Sequence, residues 1–198
     1  LRKILKPNVL ESLSKDKIIL EILVSVFPQL RHFNIFSKLN TNLKNILYEV
    51  DFIFIVSLLI IDETDNVDYF IYKFNLSKKD QKRIRNISDF YKKKITSKTF
   101  TEKNLNLIFY YSGKEIVLDI LNYRILKINK LDDNILALIS KFKIKSIPTM
   151  PFKADYLMSK YDMPEGKKLG EKLKLIENKW IENNFQISDK QIENIINN

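Results

Sequence analysis

Residues 77–94 read Ser-Lys-Lys-Asp-Gln-Lys-Arg-Ile-Arg-Asn-Ile-Ser-Asp-Phe-Tyr-Lys-Lys-Lys, and the reading of this stretch decides the fold class. Ser77 followed three residues later by Asp80 has the form of a capping box, in which the hydroxyl accepts from a free backbone amide and the carboxylate reaches back. At about 100° per residue, Ile84, Ile87, Tyr91 and Ile95 share one side of a helix. Lys78, Lys82, Arg85 and Lys92 fall on the opposite side as a stripe about 20 Å long. One side suits a core and the other is cationic.

Working outward, helical patterns recur at 15–27, 29–39, 42–61, 67–74, 102–111, 114–128 and 132–143. Residues 1–6 read like the inside of a helix ending against Pro7, as if the chain were a piece of a longer polypeptide. Gly113 separates two apolar-periodic stretches and suits a helix C-terminal turn that needs positive φ. The chain of 198 residues has three glycines and five prolines, too few turn formers for an all-β protein. Pro148 and Pro151 cannot sit inside one helix, which places a boundary near residue 148. Beyond it come a short helix over 155–160, a turn through Pro164 and Gly166, and a long helix over 167–184. There Leu169, Leu173, Ile176 and Trp180 form one face, expected to dock on the preceding body. Ser188 with Gln191 opens a last short helix. The expected fold is all-α, with an irregular helical body over 1–147 and a docked helical tail over 148–198.

Composition narrows the function. Hydrophobic residues make up 45% of the chain, enough for a real core, so the chain is globular rather than disordered. It has no cysteine and one histidine, His32, which removes thiolate chemistry, disulfides and multi-histidine metal centres. The absence of cysteine favours a cytoplasmic location. The longest apolar run, residues 52–61, is roughly half a membrane span and reads as a buried helix; no membrane partner and no export leader are expected. Gly113, Gly166 and Gly170 are too scattered to cradle a nucleotide. The acids Asp62, Glu63, Asp65 and Asp68 lack the spacing and central glycine of a calcium loop, so no metal ligand is expected. His32 has no nucleophile motif around it, Tyr110 and Tyr111 read as core, and no catalytic residue is recognisable.

The net charge is +10, and much of it is local. Lys78, Lys79, Lys82, Arg83, Arg85, Lys92, Lys93, Lys94 and Lys98 stand against Asp80 and Asp89, nine cations to two carboxylates or +7. Such a stripe spans several successive phosphates of a nucleic-acid backbone, and arginines can grip phosphate oxygens with two donors. A solvated face in a lysine-rich, AT-biased proteome is the alternative reading. Lys141, Lys143, Lys145, Lys153 and Lys160 bracket the boundary. Lys167, Lys168, Lys172 and Lys174 open the tail helix, where cations oppose the macrodipole unless an anion binds.

Residues 150–185 carry a specific pattern. Phe152, Asp155, Leu157, Met158, Pro164, Gly166, Leu169, Gly170, Trp180 and Ile181 match, residue by residue, the tail of bacterial CCA tRNA nucleotidyltransferases and related poly(A) polymerases. The chain resembles the α-proteobacterial type most. Upstream, Leu76-Ser77 leading into Lys82-Arg83-Ile84, and residues 109–115, look like that family's body helices. The resemblance implies an RNA-binding body and tail that hold the acceptor-side helix of tRNA. The contacts expected from it and from the basic rows are Lys78, Lys79, Lys82, Arg83, Arg85 and Lys92 in the body, with Lys153, Lys167, Lys168 and Lys172 in the tail. The family's head carries a Gly-Ser loop for triphosphate and an Asp-x-Asp pair for two metal ions, and neither occurs in this sequence. Magnesium, ATP and CTP are therefore expected in a head, with its neck, in the same or a separate polypeptide, and this chain alone is expected to be inactive. Addition of CCA, of part of it, or of poly(A) stays open. So does a stand-alone helical RNA-binding or interaction protein, or a gene remnant, without nucleotidyl transfer.

Overall fold

A computed structural model describes residues 1–93, 95–96 and 99–197. The protein is all-α and 70% helical, with thirteen α-helices and no strand among the described residues. In chain order these are α1 (Pro7–Leu13), α2 (Lys17–Val26), α3 (Asn34–Ser37), α4 (Thr41–Glu49), α5 (Phe52–Ile60), α6 (Asn66–Phe74) and α7 (Lys78–Lys92). They are followed by α8 (Glu102–Ser112), α9 (Lys114–Ile128), α10 (Asp133–Ile144), α11 (Ala154–Tyr161), α12 (Lys167–Glu182) and α13 (Asp189–Asn197). The helices pack as two compact units, each drawn from two stretches of chain: Leu1–Ile95 with Leu118–Lys143, and Thr96–Val117 with Ile144–Asn198.

The first unit is built around α5. Every residue from Ile53 to Ile60 is buried, as a helix apolar on all sides requires, and each large side chain so removed from water contributes about 1.5–3 kcal/mol. The single helix expected over 42–61 is two helices. Val50 is extended, and Asp51 begins a new helix by accepting from the Phe54 N–H at 3.0 Å. The break lets α4 turn only Leu43 and Leu47 inward while α5 buries its whole circumference. Pro7, expected to end a helix, begins α1 instead, because its fixed φ and missing N–H suit the first turn. The helix expected over 29–39 shrinks to α3. Helix α6 buries Val67, Phe70 and Ile71 and ends at Asn75 in the left-handed conformation, φ 43°, a residue type that tolerates it. After the reversal, Ser77 caps α7. The α9 residues of this unit add Ile120, Leu121, Tyr123, Ile125 and Leu126 to the core.

The second unit takes in α8 together with the tail helices. Helix α12 packs against α8, α11 and α13, burying Leu169, Ile176, Trp180 and Ile181, so the face expected to dock finds its partners here. Leu157, Met163 and Ile192 complete the core with α11 and α13. Gly113 takes φ 92° after α8 and its N–H bonds the Phe109 carbonyl at 3.1 Å, the conformation for which glycine is suited.

Candidate nucleic-acid interface

The cationic helix α7 is set by both of its ends. At the N-terminus the Ser77 hydroxyl accepts from the Asp80 N–H at 3.2 Å and donates to Asp80 Oδ2 at 2.7 Å. The carboxylate thus closes on the serine side chain rather than on its amide. Along the inner side Ile84, Ile87, Ser88 and Phe90 are buried, and the Tyr91 hydroxyl donates to the Ile120 carbonyl at 2.6 Å. With that side fixed, Lys78, Lys79, Lys82, Arg85, Lys92 and Lys93 are all exposed on the outside of α7 and its end. Arg85 meets Asp68 at 2.9 Å, both about half exposed, a contact that salt screens readily. Lys94 and Lys98 lie outside the described residues.

Arg83 does not belong to that surface. It is 8% exposed, donates from Nε to Asp119 Oδ2 at 2.6 Å and from Nη2 to Asp119 Oδ1 at 2.9 Å, and its Nη1 pairs with Asp51. Burial alone disfavours its charge, but the two carboxylates more than compensate and raise its pKa above the ordinary arginine value. Asp51 shows the reciprocal effect: burial pushes it up, hydrogen bonds from Arg83 and the Phe54 N–H pull it down, and the net direction is downward. The expected RNA contact is thus a strut that ties α7 to α9 and to the cap of α5. A readable signal existed: Arg83, Ile87 and Phe90 follow one another at helical spacing, which puts Arg83 with the inward residues.

In the second unit Lys153, Lys167 and Lys168 are exposed, with Lys167 only 3.8 Å from Glu171 across one helical turn. Helix α12 starts at Gly166 with no side-chain cap and no acid in its first turn. Lys172 departs from expectation. It is buried, and its Nζ donates at 2.7 Å to the Ile195 carbonyl in the last turn of α13, where a cation is favoured. Its place between Leu169 and Ile176, at steps of three and four, was the sign. Of the cations around the boundary, Lys143 meets Glu49 at 3.3 Å in the first unit. Lys160 meets Asp189 at 3.1 Å in the second. Lys145 donates to Glu102 at 2.9 Å, Asn106 at 2.9 Å and Asn184 at 2.7 Å, which pins the start of the tail to α8 and to the turn after α12.

The remaining candidates are engaged in structure. Asp62 takes Arg31 at 2.6 Å and the Thr64 hydroxyl at 2.6 Å. Tyr111, expected in the core, is 54% exposed, and Tyr110 is half-buried; both donate to Glu177, Tyr110 at 3.1 Å and Tyr111 at 2.9 Å. Burial first, and then the nearby carboxylate, pushes the Tyr111 phenol up to about 12. His32 lines a cavity of about 360 Å³ with Tyr91, Tyr123, Arg124 and Lys127, and burial lowers its pKa. Among the described residues no group of three or more histidine, aspartate or glutamate side chains is placed to hold a metal ion. None of their helices is long and apolar enough to cross a membrane.

The described residues thus form an all-helical protein whose helix α7 carries an exposed cationic side. Residues 50–196 match the family model described as tRNA nucleotidyltransferase domain 2, and the chain belongs to that family. The match runs from the start of α5 to all but the last residue of α13 and takes in both sets of exposed lysines. No curated protein and no solved structure shows a significant match to the chain.

Proposed function

We propose that this chain is the tRNA-binding C-terminal portion of a CCA tRNA nucleotidyltransferase. It would hold the acceptor-side helix while a head domain outside these 198 residues adds nucleotides to the 3′ end. The observation that carries the reading is the exposed row Lys78, Lys82, Arg85 and Lys92 on α7, with Lys79 beside it and one acid, Asp89, within it, on a helix inside the stretch that matches the family. Double-helical RNA offers a protein mainly its shape, phosphates and 2′-hydroxyls, and a straight row of cations on a rigid helix meets the phosphates without reading sequence. Each phosphate neutralised releases counterions, so affinity falls steeply with salt. In the second unit Lys153, Lys167 and Lys168 are the proposed contacts. Arg83 and Lys172 act through the fold, by holding α7 and α12 in place.

The magnesium ions, ATP and CTP of the family's reaction belong, in this proposal, to the head and neck, in the same or a separate polypeptide. The carboxylates described above are spent on caps and ion pairs and do not form the donor set that such ions need. The reading is tested by the affinity of the 198-residue chain for tRNA, before and after replacing Lys78, Lys82, Arg85 and Lys92 together by Gln. Loss of tenfold or more at low salt, with an unchanged melting temperature, is expected; unchanged affinity would refute the assignment of α7. The pure chain supplied with tRNA, ATP, CTP and magnesium is expected to incorporate no nucleotide, and measurable incorporation would refute placing the chemistry elsewhere.

A further inference from the structure

Helices α6 and α7 form a hairpin whose outer side carries more than charge. The inward residues of α6 are Val67, Phe70 and Ile71, and this leaves Tyr69 and Tyr72, three residues apart, pointing to water: they are 61% and 89% exposed. Tyrosine rings this uncovered, two on one helix face, are not explained by packing, and isolated exposed aromatics are far more ordinary than a pair at helical spacing. The ion pair between Asp68 and Arg85 fixes what lies beside them. The chain reverses between Asn75 and Ser77. One turn from the ion pair toward that reversal therefore leads to Tyr72 on α6, and to Lys82 and then Lys78 on α7. Asp68, the acid nearest the rings in sequence, is neutralised by Arg85. Tyr72 thus borders the cationic row at its Lys78 to Arg85 end, and Tyr69 stands one turn behind it on α6.

We propose that the α6–α7 hairpin is a binding site for unpaired nucleotides of an RNA, which stack on Tyr69 and Tyr72 while their phosphates lie along Lys78 and Lys82. This rests on the reading of α7 as an RNA-binding helix and adds to it which part of the RNA arrives there. Inside a double helix every base face is covered by its neighbours, so an exposed ring has nothing to stack on. A loop, a bulge or a strand end offers free base faces. Stacking tolerates any base because each has a π-face, and adjacent cations follow the backbone. A row meant only for duplex phosphates has no use for two uncovered tyrosines at its edge.

The test compares two probes on the whole chain: a single-stranded RNA of eight nucleotides carrying a central 2-aminopurine, and the same strand annealed to its complement. Binding of the single strand is expected to change the 2-aminopurine fluorescence. Tyr69→Ala with Tyr72→Ala should abolish that change and weaken single-strand binding about tenfold or more, with duplex affinity unaffected. Tyr69→Phe with Tyr72→Phe keeps the rings and should retain both properties. Both tyrosines are exposed, so equal melting temperatures confirm folded variants. If the alanine variant binds the single strand as tightly as the parent while Lys78→Gln with Lys82→Gln weakens both probes, the stacking site is refuted and the reading of α7 stands. If neither variant changes binding of either probe, or no RNA binds, the reading of α7 falls and the stacking site with it.

Discussion

Helices α7 and α12 each bury one cation among several exposed ones, and they hold it by different means. In α7 Arg83 is clamped by two carboxylates, Asp119 through two hydrogen bonds and Asp51 through a third. In α12 Lys172 has a backbone carbonyl at the end of α13. The difference follows from the surroundings. Arg83 lies among α5, α7 and α9, where only ionised partners offset the cost of taking a guanidinium out of water. Lys172 sits near a helix C-terminus whose partial negative charge needs no carboxylate. The ends differ too, since α7 has Ser77 and Asp80 to satisfy its first turn and α12 begins at an uncapped Gly166. Position on the helix circumference, not residue type, separates the lysines and arginines that hold the fold from those free to meet a ligand.

The comparison can be broken most sharply at Arg83. Arg83→Met leaves Asp119 buried without its partner and is expected to cost about 3–5 kcal/mol in urea unfolding, with little change in the RNA affinity of the molecules that remain folded. A variant of normal stability that has lost RNA binding would return Arg83 to the ligand surface. Acid provides the second test. Asp51 is held below its usual range in the folded state, so the stability it contributes is present above the ordinary aspartate pKa and is lost as pH falls through the depressed folded value. Unfolding midpoints at pH 7 and pH 3, about either side of the aspartate range, should therefore drop more in the parent than in Arg83→Met. Equal drops would show that the clamp is not ionic. Lys172→Met should be milder, about 1 kcal/mol, because one carbonyl hydrogen bond is lost and the aliphatic stem still packs. The smallest effect is expected at the open end of α12. Lys168→Glu should raise stability by about 0.3–1 kcal/mol through the helix dipole while lowering tRNA affinity, and a fall in stability would contradict the dipole argument.

What could be read from the sequence was local. The Ser77 cap, the two-sided pattern of α7, the positive φ at Gly113 and the inward face Leu169, Leu173, Ile176 and Trp180, with Leu173 half-buried, each depend on residues within a few positions of one another. All four stand in the structure. The errors came where a distant partner or a competing end signal decided. Asp51 starts a new helix inside an unbroken apolar run because its carboxylate caps Phe54, and hydrophobic content alone does not show that. Arg83 looks like its cationic neighbours until Asp119, 36 positions away, comes to meet it. The exposed Tyr69 and Tyr72 were legible in principle: Val67, Phe70, Ile71 and Phe74 occupy the inward steps of three and four, which leaves both tyrosines outside. No such pattern announces Lys145, whose partners come from α8 and from the turn after α12.

The central claim, that the outer row of α7 neutralises RNA phosphates, is tested most directly by the salt dependence of tRNA binding. The logarithm of the association constant is plotted against the logarithm of salt concentration for the parent and for the variant with Gln at 78, 82, 85 and 92. Removing four phosphate contacts should make the slope shallower by about 3 to 4. A slope that does not change would mean that these side chains do not neutralise RNA phosphates.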